Sequence, residues 1–133
     1  MNHWGSNGTV GSGTYLQCRE ESNVNRIVHS PDDLVHQFLE RCADAFPGRE
    51  ALFHKGRWHT FAELDSQANE IGRWLLDAGL AKGDRVAILS ESRPEWSVAF
   101  FGIVSCAGVT VPMDAKLSDA EIEFIVNDSE AKC

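Results

Sequence analysis

The spacing of apolar residues changes several times along this chain, and each change marks an element. Leu34, Val35, Phe38, Leu39, Cys42 and Phe46 recur at the interval of one helix face, and Pro47-Gly48 ends the run. Ser30-Pro31-Asp32-Asp33 ahead of them offers a cap, a proline in the first turn and acids against the positive end of the dipole. A helix is therefore predicted over 31–46. Ala51-Leu52-Phe53-His54 and Arg57-Trp58-His59-Thr60 flank Lys55-Gly56 as the arms of a tight hairpin, with Phe53 opposite Trp58 and the aromatic pair expected to be buried.

Leu64, Ala68, Ile71, Leu75 and Ala78 form the stripe of a second helix over 61–78, which Thr60-Phe61-Ala62-Glu63 opens as a capping box and Gly79 stops. Val86-Ala87-Ile88-Leu89 is a short unbroken apolar run, the pattern of a parallel strand covered on both faces. Ser92-Arg93-Pro94-Glu95 reads as a second box. Behind it Trp96, Val98, Ala99, Phe100, Phe101, Ile103 and Val104 leave almost no polar face, so that helix should be buried on most sides. Val109-Thr110-Val111-Pro112 is the next strand, which makes 86–111 one right-handed βαβ unit. A third box, Ser118-Asp119-Ala120-Glu121, begins a last helix with Leu117 and Ile122 at staple positions and Ile125 and Val126 on its apolar face.

Composition narrows the class. Hydrophobic residues make up 43% and charged residues 24% of 133, ordinary values for one globular domain. Twenty acidic residues against 12 basic ones give a net charge of -8, which repels nucleic acid and anionic lipid, so no nucleic-acid partner is expected. The longest apolar stretch, Val98 to Pro112, is broken by Gly102, Ser105, Cys106 and Gly108 and predicts no membrane span. The first residues lack the pattern of a secretory signal, which leaves the cytoplasm as the expected compartment. Residues 1–29, rich in Gly, Asn and Ser, read as a flexible leader, and 30–133 as the folded part. Cys18, Cys42, Cys106 and Cys133 stand far apart without histidines at ligand spacing, so free thiols are expected rather than a metal site.

Three segments, in this order and spacing, resemble the opening of AMP-forming acyl-CoA synthetases and their adenylate-forming relatives. They are Arg57-Trp58-His59-Thr60-Phe61-Ala62-Glu63-Leu64, then Gly83-Asp84-Arg85-Val86-Ala87-Ile88-Leu89, then Cys106-Ala107-Gly108-Val109-Thr110-Val111-Pro112-Met113-Asp114. Ser90-Glu91-Ser92-Arg93-Pro94-Glu95-Trp96 is more similar to the fatty-acyl-CoA ligases than to peptide-synthetase adenylation domains. The resemblance implies an α/β fold: a partial N-terminal lobe with a β-hairpin and a βαβ unit of a parallel sheet, flanked by helices. It implies that the complete enzyme converts a fatty acid or other carboxylate, ATP and coenzyme A to acyl-CoA, AMP and diphosphate, with Mg2+, and that the partner of this chain is the remainder of the ligase. The family's phosphate loop, ribose-binding Asp and catalytic Lys have no counterpart here. The chain is therefore expected to bind none of these cofactors and to be inactive alone, with no catalytic, cofactor-binding or metal residue assigned.

Arg93 and Asp114 each follow the carboxyl end of a predicted parallel strand, where open α/β sheets carry ligand loops, and are the two substrate-side candidates. The plainer reading puts Arg93 in a solvated loop and Asp114 in a turn after Pro112. Glu63, Glu95 and Glu121 read as capping-box partners rather than an acid–base set. His54 and His59 read as surface strand histidines, and Trp58, Trp96, Phe100 and Phe101 as core. A separate functional reading is a non-catalytic α/β module that binds a partner at its sheet edge.

Overall fold

A computed structural model describes residues 34–132, so the leader over 1–29, Cys18, Cys133 and the Ser30 cap lie outside the described residues. The elements run α1 (Val35–Ala45), β1 (Glu50–His54), β2 (Arg57–Thr60), α2 (Phe61–Asp77), β3 (Arg85–Leu89), α3 (Pro94–Ser105), β4 (Val109–Met113) and α4 (Asp119–Ser129). The mixed α/β architecture is the one expected, with an antiparallel hairpin and a parallel pair joined through a helix. Helix α1 starts later than predicted. Its N-cap is Leu34, in extended backbone, and the Gln37 side chain accepts the Leu34 N–H at 3.1 Å.

The hairpin turns on Lys55 and Gly56, both at positive φ (47° and 84°), as a two-residue turn matched to strand twist requires. Phe53 does pair with Trp58, and the rings lie 4.9 Å apart. The expectation that they are buried is wrong: Phe53 is 55% and Trp58 48% exposed. A hairpin of two strands has no second layer over this face, so the rings cover each other and little else.

Helix α2 follows its prediction closely. Thr60 Oγ1 accepts the Glu63 N–H at 3.2 Å, and Glu63 Oε2 accepts the Thr60 N–H at 3.0 Å. At the other end Gly79 adopts φ 90°, its N–H donates to Leu76 O, and the Leu80 N–H donates to Leu75 O, which closes the helix in a Schellman motif. Ala78, placed on the buried stripe by periodicity, is the C-cap and is exposed. Helix α3 ends the same way with Ala107 at φ 59° where glycine is usual, the Ala107 N–H donating to Val104 O and the Gly108 N–H to Ile103 O.

Helix α3 is central. Of its residues only Glu95 is exposed, and α1, α2, β3 and β4 all pack on it. Leu39, Leu64, Ala68 and Val98 form one buried cluster and Leu75, Val86, Ile88 and Ile103 a second, with Ile71 packed against both. Two glycines let α2 and α3 approach. A β-carbon on Gly102 would lie 2.8 Å from Ala68 O and from Ile71 Cβ, and one on Gly72 would lie 3.0 Å from Ser105 Oγ. Cys106 Sγ seals the same crossing by donating to Gly72 O at 3.1 Å. Cys42 and Cys106 are free thiols, and burial raises the Cys42 pKa.

Strands β3 and β4 pair in parallel from Arg85↔Val109 to Leu89↔Met113, so the loops that leave them emerge at one end of the sheet. No helix among the described residues is long and apolar enough to cross a membrane.

Candidate functional site

A cleft of about 420 Å³ lies where the β3–α3 loop meets the hairpin, lined by Leu52, Phe53, His54, Ser90, Ser92, Arg93, Pro94, Trp96 and Ser97. Arg93 is placed at its rim by the proline that follows. A residue before proline is pushed into extended backbone, and Arg93 sits at φ −152°, ψ 163°. Arg93 rather than Ser92 is therefore the N-cap, and Pro94 is the first helical residue.

This shift dissolves the second capping box. Glu95 does not reach back to Ser92. It accepts Arg93 Nε at 2.8 Å on Oε2 and Arg93 Nη2 at 3.1 Å on Oε1, a two-pronged pair that uses the geometry of the guanidinium fork. Arg93 holds the Glu95 pKa down at about 2, with the residue's own backbone N–H helping and His54 adding a weaker pull. The third box is also incomplete: Glu121 Oε2 accepts both the Ser118 N–H (2.8 Å) and the Ser118 hydroxyl (2.7 Å). Glu63 keeps its box and also accepts Arg57 Nη2 at 3.1 Å; the Thr60 N–H does most to lower its pKa, and Arg57 adds to the effect.

The two substrate-side candidates part company. Arg93 lines the cleft, whereas Asp114 does not: its Oδ1 accepts the Lys116 N–H at 2.9 Å and its carbonyl the Leu117 N–H at 3.1 Å, so it shapes the turn after β4. Both sit beyond strand ends of the parallel pair, as the spacing predicted. His54, read from the sequence as a surface histidine, and Trp96, read as core, also line the cleft, together with Ser97. Their approach depends on the hairpin docking beside α3, for which a single sequence carries no pattern. His54 and His59 are half-buried rather than surface residues, and His59 Nδ1 is buried without a hydrogen-bond partner. No cluster of His, Cys, Asp or Glu among the described residues is arranged to hold a metal ion.

The geometry of the loop does not suit a polyphosphate. Arg93 is its one cation, both prongs of its fork face Glu95, and Glu91 stands two residues away. What the cleft offers is an aromatic and hydroxyl-lined surface at the carboxyl end of a parallel sheet, the place where open α/β proteins build their sites.

Comparison with known proteins fixes the class. The sequence profile of the family described as "AMP-binding enzyme" matches residues 39–133, and the chain belongs to that family of adenylate-forming enzymes. Surfactin synthase subunit 1 of Bacillus subtilis (strain 168) is 37% identical over 101 residues, covering 76% of this chain. Coprinoferrin synthetase of Coprinopsis cinerea is 44% identical over 134 residues, covering 89% of this chain. The chain spans only 3% and 5% of the length of these two relatives.

Among solved structures, the N-terminal subdomain of Klebsiella oxytoca NpsA superposes with a TM-score of 0.68 at 28% identity, covering 73% of this chain and 26% of that one. The anthranilate CoA ligase AuaEII, in complex with anthranoyl-AMP, gives 0.67 at 33% identity over 71% of this chain and 18% of that one. A Mycobacterium tuberculosis fatty acyl CoA synthetase gives 0.66 at 32% over 71% and 19%. The fold is thus the N-terminal lobe of an adenylate-forming enzyme, as the motifs implied.

Proposed function

We propose that this chain is the N-terminal portion of a carboxylate-CoA ligase, which in its complete form makes acyl-CoA, AMP and diphosphate from an acid, ATP and coenzyme A. The observation that carries the reading is where the three motif segments fall. The first closes β2 and opens α2, the second forms β3, and the third forms β4 and the Asp114 turn, all within the region that matches the family. Adenylation turns a carboxylate oxygen, a poor leaving group, into AMP, a good one. ATP, Mg2+ and coenzyme A belong to the complete enzyme, and its compartment is the cytoplasm. The described residues supply a scaffold for that chemistry, and the chain by itself is inactive.

The lean towards coenzyme A and fatty acids rests on Ser90–Trp96 and on likeness to the two CoA-ligase structures at 33% and 32% identity. A second reading has its own support: the 44% identity to coprinoferrin synthetase favours an adenylation module of a peptide synthetase, with an amino acid as substrate and a carrier thiol as acceptor. Nothing among the relatives favours a non-catalytic module that binds at its sheet edge.

The test uses the complete reading frame that carries this chain, assayed for acid-dependent exchange of pyrophosphate into ATP and then for thioester formation with coenzyme A. Exchange with fatty acids followed by acyl-CoA is the expected result. Exchange with amino acids and no CoA thioester would establish the second reading instead, and no exchange with any acid would overturn both. The 133-residue chain run alone should match the no-protein control, and clear turnover there would refute its inactivity.

A further inference from the structure

We draw no further inference here: the strongest candidate, the cleft between the β1–β2 hairpin and the β3–α3 loop that Arg93 and Trp96 help to line, belongs to the site already described, and nothing in the structure shows what covers it.

Discussion

Arg93 shows how one neighbour in sequence redirects a charged residue. Spacing alone put Ser92 and Glu95 in a capping box, but Pro94 forces Arg93 into extended backbone, makes it the N-cap, and turns its fork onto Glu95. The pairing has a measurable signature. Glu95 titrates at about 2 because the guanidinium stabilises its carboxylate. A folded-state pKa below the unfolded value near 4.3 means that the pair's contribution is fully present above that unfolded value and is lost as pH falls through about 2. Replacing Arg93 with Gln should return the Glu95 midpoint towards the ordinary carboxylate range, followed by the carboxyl carbon resonance in an NMR titration. A midpoint that stays near 2 would mean that Arg93 is not the cause. Other single residues escaped sequence reasoning because their environment is tertiary. Trp58 is exposed since only Phe53 covers it, and His54 reaches the cleft only because the hairpin lies beside α3.

At the scale of elements, local chemistry was readable and closeness between elements was not. The Thr60–Glu63 box, the positive-φ turn at Lys55-Gly56 and the Gly79 stop each use backbone rules that act over four residues, and each is present as the sequence implied. The two strands of the parallel pair also fall where their apolar runs stand, with β4 extended to Met113. The crossing of α2 and α3 was missed, although an isolated glycine in the otherwise apolar helix 94–105 is the kind of signal that marks a close approach. Gly102 carries that crossing. Its missing β-carbon leaves room for Ala68 O and Ile71 Cβ, both of which would stand at 2.8 Å, one of them rigid backbone. Gly102→Ala is therefore expected to lower stability by about 1–3 kcal/mol despite its better helix propensity. Gly48→Ala, with nothing within 4 Å, is the control and should be near neutral. Urea unfolding of both variants decides the matter, and equal midpoints would show that the helices can part at no expense.

For the whole molecule, the balance of covered and uncovered apolar surface sets behaviour in solution. Two strands and a hairpin give α3 partial cover only: Trp96, Phe100 and Phe101 are half-buried, and Leu89, Val109 and Phe124 stand 49%, 48% and 69% exposed. Trp74 and Leu76 on α2 add 62% and 54%, and the hairpin adds its aromatic pair. Exposed apolar area beyond a few hundred Å² drives association unless a partner covers it. A net charge of -8 opposes that tendency through mutual repulsion, and salt screens repulsion while leaving the hydrophobic term intact. The two effects separate in one experiment. The 133-residue chain, run on size exclusion at about 0.05 M and about 0.5 M salt, should bind a hydrophobic dye at both and shift to larger species at the higher. Helical circular dichroism should persist throughout, because the buried clusters around Leu64, Leu75 and Ile103 do not depend on charge. A sharp monomer at both salt concentrations, with cooperative melting and no dye signal, would show that the exposed residues form no continuous patch, and the chain would then have to be regarded as self-sufficient.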